Sequence, residues 1–377
     1  MQLKYSEEQQ MLADSAQRFT QQYYDFPQRS ERLNAGSYFN SGYWQNFADL
    51  GWLGLPVSEE HGGFGGALGD LMAIQQELGA GLVQEPYLNS AILSGGLLDW
   101  AASPAQFEEW LIPLMAGEKR ICLAVTEFDC RYAMSGFSTS VRQTEWGYVL
   151  DGDKPLVTDG DGADAYIVAA QSPLGVSLFI VRSDHPGVSK KTIISADDRA
   201  SCSLHFDSVN LLAENRLGDE GNALELLHRY FDLGAAATCA DMVGSMRSLL
   251  EITVDYAKQR SQFGQPIGKF QVLQHRMADM FMALERARSM LVLLSLAYSE
   301  SDNQGGSFSQ AVSASKVQIN KSARYIGQQA VQIHGGIGIT QELNVGHYFK
   351  RLIVNEGAFG DTRFHLKRYT QLTDSVK

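Results

Sequence analysis

The sequence predicts a multi-domain α+β chain: an N-terminal α-helical domain over residues 1–117, a middle β-barrel or sandwich over 118–221, and a C-terminal four-helix bundle over 222–377. Three observations predict it. The 377 residues exceed the roughly 250–300 that a single core holds. The hydrophobic period changes from helical to alternating near Glu118 and back near Asn222. The last third carries three long apolar stripes at three- and four-residue steps.

In the first part, Ser6-Glu7-Glu8-Gln9 has the form of a capping box opening an amphipathic helix, with Met11, Leu12, Ser15 and Phe19 on its apolar side. The Phe47–Pro56 segment leads into a glycine-dense loop, His61–Gly66. This loop follows no strand and has no Lys-Ser/Thr, so a plain turn is expected rather than a phosphate cradle. Helices resume at Gly69–Leu82 and Asn89–Ala101.

In the middle part, Ile121–Thr126, Tyr148–Leu150, Ala165–Ala170, Ser177–Val181 and Ser203–Phe206 are short β-rich runs. Asp151-Gly152, Asp159-Gly160, Pro173 and Pro186-Gly187 separate them as turns. In the last part, Met242, Met246, Leu249, Thr253 and Tyr256 form one stripe. Met277, Met280, Leu284, Ala287, Leu291 and Leu294 form the second, and Ile319, Ala323, Ile326, Ala330 and Ile333 the third. Such long neighbours pack as a bundle. Ser299–Ser309 reads as the surface loop between the second and third helices.

Composition narrows the function classes. A net charge of −12 without a basic stripe argues against nucleic acid and anionic membranes as partners. The four cysteines, Cys122, Cys130, Cys202 and Cys239, lack metal-ligand spacing, so reduced thiols and no metal site are expected. Met1–Phe19 is polar and amphipathic, unlike a secretory signal, and the richest apolar run, Met290–Tyr298, is too short to span a membrane. A soluble cytoplasmic protein is the expectation.

Two segments interrupt the helical pattern. In Arg260-Ser-Gln-Phe263-Gly264-Gln-Pro-Ile-Gly-Lys-Phe-Gln271, one long helix ends and another begins. Arg260 there offers a planar fork suited to a pyrophosphate, or simply caps its own helix as a cation at a C-terminus does. In Gln332-Ile333-His334-Gly335-Gly336, paired glycines would let backbone amides approach an anion, or would only cap the helix.

Arg-x-x-Phe-Gly-x-x-Ile-x-x-Phe-Gln followed by Gln-Ile-x-Gly-Gly-x-Gly, in an α-domain, β-domain, α-bundle order, resembles the acyl-CoA dehydrogenases. SEEQQMLADSAQRF at 6–19, LGWLGLPVSEEHGGFGG at 50–66 and Val125-Thr126-Glu127 carry the likeness across the whole chain. The resemblance implies the acyl-CoA dehydrogenase fold and FAD as cofactor. Arg260, Phe263 and Gln271 would lie at the pyrophosphate and adenosine end, Gln332 to Gly336 at the adenine side, and Thr126 and Thr158 by the flavin ring. The flavin itself would be housed mainly in an adjoining subunit.

The chain departs from the family where the base should be. Removing a proton next to a thioester carbonyl suits a glutamate whose pKa burial has raised. The usual family slot falls on Phe359, before Gly360, and the less common slot on the first bundle helix falls close to Gly234. The Thr-Glu-Pro and Gly-Ser-Asp of the family are also replaced, by Thr126-Glu127-Phe128 and Asp129–Met134, and its Trp-Ile-Thr by Leu156-Val157-Thr158. Asp361, Asp232 and Glu356 are the nearby carboxylates, and His334, His347 and His365 the other proton carriers.

The pattern, including the VGHYFKRL run at 345–352 and the Phe-Gly-Asp turn at 359–361, resembles the small subunits of heteromeric bacterial acyl-CoA dehydrogenases of the pimeloyl-CoA dehydrogenase type. The resemblance implies a heterotetramer whose large subunit bears the glutamate. It also implies bulky, polycyclic or dicarboxylic acyl-CoA substrates, as in fatty-acid or steroid side-chain oxidation, and an electron-transfer flavoprotein or similar acceptor. Two alternatives stand beside it. One is a self-sufficient homo-oligomeric dehydrogenase, oxidase or monooxygenase using Asp232, Asp361 or a histidine. The other is a flavin-free stabilising subunit.

Overall fold

The computed structural model describes residues 5–300 and 306–374. The chain runs through α1 (Glu7–Tyr23), α2 (Phe26–Asn34), α3 (Ser41–Asp49) and α4 (Leu68–Ala80). A π-helical stretch, Tyr87–Gly95, continues into α5 (Gly96–Ala101), and the short α6 (Pro104–Gln106) and α7 (Ile112–Met115) close the helical region. Strands follow: β1 (Ile121–Ala124), β2 (Ser140–Thr144), β3 (Gly147–Val157), β4 (Ala165–Ser172), β5 (Gly175–Arg182), β6 (Val188–Ile194), β7 (Ala200–Leu212) and β8 (Arg216–Leu217). The last region holds α8 (Ala223–Gln259), a tiny hairpin of β9 (Ser261–Gln262) and β10 (Gln265–Pro266), then α9 (Gln271–Glu300), α10 (Gly306–His334), α11 (Asn344–Gly357) and α12 (Thr362–Asp374). This is the expected order of helical, β and helical regions. Among the described residues no helix is long and apolar enough to cross a membrane, and no cluster of His, Cys, Asp and Glu could hold a metal.

Packing groups the chain into two units: residues 1–36, 68–83 and 235–377 form one, and 37–67 with 84–234 the other. In the first, α1 starts as its sequence dictates. Ser6 Oγ accepts from Gln9 N–H and the Gln9 side chain accepts from Ser6 N–H. Of the expected face, Phe19 is buried and Leu12 and Ser15 are half-buried, and only Met11 departs from it. Ala13, Ala16, Phe19 and Thr20 point inward while Met11 is 71% exposed. Asp241 and Gln76 show how tight this unit is. A Cβ on Gly244 of α8 would lie 1.7 Å from Gln76 O of α4, and one on Gly79 would lie 2.2 Å from Asp241 O.

All three predicted stripes are core. Met242, Met246, Leu249, Met280, Leu284, Ala287, Leu291 and Leu294 are buried, as are Ile319, Ala323, Ile326, Ala330 and Ile333; Met277 and Tyr256 at the stripe ends are half-buried. The predicted Ser299–Ser309 loop is shorter than read. α9 continues to Glu300 and α10 begins at Gly306, with the residues between outside the described ones. Helix end signals outweighed by neighbouring helical periodicity explain the shift.

The expected barrel or sandwich is one eight-stranded mixed sheet in the order β6-β7-β3-β2-β4-β5-β8, with β1 parallel on β4. The central β4 is buried on both faces. Tyr166, Val168 and Ala170 share one core with Tyr148, Leu150, Phe179, Val181, Leu204 and Phe206. The His61–Gly66 loop is a turn. Gly62 sits at φ +78°, and a Cβ on Gly63 or Gly66 would strike the backbone of Val57 or Leu55.

Candidate functional site

The candidate cofactor residues fall into two groups, one in each unit. In the bundle unit, α8 ends at Gln259 and the chain reverses through a two-residue turn, Phe263-Gly264, with φ +53° and +80°. Both central residues being left-handed is the type I′ geometry that matches strand twist. Ile267 N–H bonds back to Arg260 O at 2.8 Å, which brings Gln271, the first residue of α9, alongside the end of α8.

One turn before Arg260, the Tyr256 ring stacks on His334 at 4.3 Å and 28°, and its hydroxyl donates to His334 O at 3.5 Å. The ends of α8 and α10 therefore meet, which sets the Arg260 segment beside Gln332–Gly336. His334 is buried and donates from Nδ1 to Ala330 O at 2.8 Å, with burial lowering its pKa against that bond. It is a neutral prop under the turn. Ile333 is buried as well.

Above this prop the surface is open. Gly335 (φ +67°) and Gly336 begin a 3₁₀ turn, Gly335–Ile339, and a Cβ on either would meet nothing within 4 Å. Arg260, Gln271 and Gln332 are exposed, and among the described residues their side chains make no hydrogen bond or ion pair. The Arg260 side chain therefore does not cap the carbonyls of its own helix, and the Arg260 carbonyl is bonded by Ile267 N–H instead. Phe263 is 92% exposed. Unpaired donors around an open glycine surface fit an anionic dinucleotide.

In the other unit, Thr126 pairs with Leu156 in an antiparallel bridge, so the Thr126 segment lies against the β3 end that leads to Thr158; both threonines are half-buried. Glu127 is 3% exposed. It accepts from Lys154 Nζ at 2.6 Å, from Ser138 N–H and Oγ–H at 2.6 and 2.7 Å, and from Thr139 N–H at 3.2 Å. Burial pushes its carboxyl up, but the bonds from Lys154, Thr139 and Ser138 and the Lys154 charge outweigh this and hold it at about 2. Burial draws Lys154 down to about 8 against the pull of Glu127, leaving it protonated at neutral pH. Sequence reasoning missed this pair, since a lysine in Gly-Asp-Lys-Pro carries no sign of its partner.

The 359–362 turn is built as a lock. Phe359 sits at φ +51°, and the fully buried His365 donates from Nε2 to its carbonyl at 2.8 Å while Nδ1 accepts from Ser313 Oγ at 3.3 Å. Burial lowers the His365 pKa to about 3, more than the Phe359 bond raises it, so the ring is neutral. A Cβ on Gly360 would lie 2.5 Å from Phe364 and 2.6 Å from His365. Asp361 accepts from Phe364 N–H at 2.8 Å and caps α12. Glu356 holds Arg324 with contacts of 2.8 to 3.2 Å. The buried Lys316 donates to Asn355 O at 2.6 Å and to Glu356 O at 3.4 Å, at the C-terminal end of α11. Asp232 and Gly234 lie in the buried stretch of α8, and His347 is buried with Arg29 at 3.2 Å. A cavity of about 780 Å³, lined by residues of α1, α4 and α9 such as Gln9, Met72 and Leu291, includes none of these residues.

Models of the acyl-CoA dehydrogenase N-terminal, middle and C-terminal domains match residues 6–118, 122–209 and 224–370 in that order. The chain is 29% identical over 360 residues to the short-chain specific acyl-CoA dehydrogenase of Megasphaera elsdenii, covering 90% of this chain and 92% of that protein. The FAD complex of PigA superposes with a TM-score of 0.91 at 25% identity, covering 100% of both chains. A chain of the ChsE4–ChsE5 complex of Mycobacterium tuberculosis matches at 0.89 and 24%, covering 99% of both, a likeness of fold.

Proposed function

The chain belongs to the acyl-CoA dehydrogenase family, and from that premise we propose that it is the non-catalytic small subunit of a heteromeric member. In this reading Arg260, Phe263, Gln271 and the Gln332–Gly336 cradle close the FAD site of a large subunit that carries the glutamate. FAD, when bound, supplies the hydride acceptor for α,β-dehydrogenation of an acyl-CoA, and an electron-transfer flavoprotein or similar carrier takes the electrons onward. Arg260 neutralises the pyrophosphate, Gln271 and Gln332 hydrogen-bond the adenosine end, and the open glycines let the dinucleotide approach the backbone.

The observation that carries the reading is the turn at Phe359. By the resemblance the family's base slot falls on this phenylalanine, and the turn that holds it is fastened by His365 bonded to its carbonyl. The carboxylates around it are engaged: Asp361 caps α12 and Glu356 binds Arg324. Co-expression with a glutamate-bearing homologue tests the proposal. Stoichiometric FAD is expected only in the complex. Arg260→Ala there is expected to weaken FAD retention by about 10- to 100-fold, the value of a charge-assisted bidentate contact. Tight FAD and acyl-CoA-dependent bleaching by this chain alone would overturn the proposal.

A further inference from the structure

Both ends of the 127–139 loop converge on one carboxylate. Glu127 at its start accepts from the Ser138 backbone, the Ser138 hydroxyl and the Thr139 backbone at its end, and the fourth donor is Lys154 Nζ of β3. Lys154 is 0% exposed, with its ammonium 4.4 Å from the centroid of the Phe137 ring. These four donors use the lone pairs of the carboxylate, which is the condition under which a buried ion pair is tolerated. Between its ends the loop packs on itself: Met134 and Phe137 are buried, and Cys130 Sγ donates to Gly136 O at 2.9 Å. Outward it presents Phe128, 84% exposed, and the exposed Arg131 at φ +47°. Thr126 is the next residue before Glu127, and its bridge partner Leu156 is two residues beyond Lys154. The same pair therefore fixes the edge that carries Thr126 and Thr158.

We propose that Glu127 and Lys154 form an electrostatic clip that holds the 128–138 loop folded and, through it, positions the Thr126–Leu156 edge. The consequence for flavin rests on the reading above, in which that edge faces a flavin ring. The two are positioning residues: neither is assigned a contact with substrate or cofactor. With the carboxylate neutralised, Lys154 loses the counter-ion that offsets its burial, so either the loop opens to solvate the ammonium or the amine gives up its proton, and both remove the charge-assisted bond that fastens the loop. With both charges removed, that drive disappears while the backbone of Ser138 and Thr139 can still be capped.

Limited trypsinolysis of the full chain at the Arg131–Tyr132 bond reads the clip. Glu127→Gln is expected to be cut at least about 10-fold faster than the natural chain, because cleavage follows the open population. The double variant Glu127→Gln/Lys154→Met is expected to return to within about 3-fold of the natural rate, since no uncompensated buried charge remains. Cleavage of Glu127→Gln within about 2-fold of the natural rate, or a double variant cut as fast as the single one, would overturn the clip. If the single variant does not fold, hydrogen exchange on the natural chain decides. The Ser138 and Thr139 amides should exchange at least about 100-fold more slowly than those of 129–135, and equal rates refute the proposal. In the flavin-bearing complex Glu127→Gln is expected to raise FAD loss about 10-fold, one factor of ten in the equilibrium. Faster cleavage with unchanged FAD retention would uphold the clip and overturn the flavin-facing assignment of its edge.

Discussion

His365→Gln isolates what the lock at residues 359–362 contributes. In the folded chain the imidazole is fully buried, donates to Phe359 O at 2.8 Å, and titrates at about 3 rather than the ordinary 6.5. A folded pKa below the unfolded one means the native state refuses a proton that the unfolded chain accepts. The stability contributed is complete above about pH 6.5 and is lost progressively as pH falls towards 3. From pH 7 to pH 5 the unfolded chain takes up close to one proton at this site, a loss of about 2 kcal/mol. For a cooperative unit of some 200–370 residues this lowers Tm by about 2–5 °C. Glutamine keeps an N–H donor of similar reach for Phe359 O but does not titrate. Thermal unfolding of the natural chain and the variant at pH 7 and pH 5 is the assay. The variant's own fall in Tm should be smaller by that amount, whatever its starting stability. Equal falls in both proteins would refute the claim that a neutral His365 fastens the turn.

A Cβ on Gly336 would meet nothing within 4 Å in the chain itself, so the Tm of Gly336→Ala is expected to change by less than about 2 °C, while FAD retention in the complex, followed by flavin absorbance after gel filtration, falls at least about 10-fold, because only a bound group would meet the new methyl. Asp361→Asn keeps the N-cap of α12, since asparagine caps as well as aspartate. Turnover of the complex is then expected to stay within about 2-fold, whereas a local catalytic base would cost at least about 100-fold; the steady-state rate decides.

Much of the architecture was legible because periodicity and burial coincide. Ile319, Ala323, Ile326, Ala330 and Ile333 lie on one helical face and all are buried. The capping box at Ser6 is a local interaction four residues long, so its sequence suffices. The strands β2 and β6 were not legible. Ser140–Thr144 buries mainly Val141, and the seven residues of β6 are largely exposed, so neither shows the alternation of a half-buried strand. They are strands because β3 and β7 beside them offer backbone partners. The motif carriers Arg260 and Gly335-Gly336 were visible in sequence because they interrupt a pattern. The groups that hold them were not. Tyr256 read as the end of an apolar stripe, and its stack on His334 joins positions 78 residues apart. Glu127–Lys154, 27 residues apart, is likewise a product of tertiary approach, and the bond of His365 to Phe359, only six residues away, spans a turn for which residue types alone name no partner.

Two phenylalanines stand in the left-handed region, and they differ in what holds them there. Phe359 at φ +51° is fastened from inside by His365. Phe263 at φ +53° is 92% exposed, and its one described ring contact is an edge-on approach to Phe270 at 6.3 Å. A bulky residue in this conformation costs about 1–2 kcal/mol relative to glycine, and asparagine tolerates it better. The isolated chain therefore carries both backbone strain and an exposed ring at the tip of the Arg260 hairpin. Such an arrangement persists when something outside the chain offsets it. Phe263→Asn is expected to raise the stability of the chain alone by about 0.5–1 kcal/mol, measured by denaturant unfolding. It should weaken assembly with the flavin-bearing partner at least about 10-fold, the scale of losing one well-buried aromatic anchor. The two effects must have opposite signs. A variant that is less stable alone, or that assembles as tightly as the natural chain, would show that Phe263 serves its own fold and faces no partner.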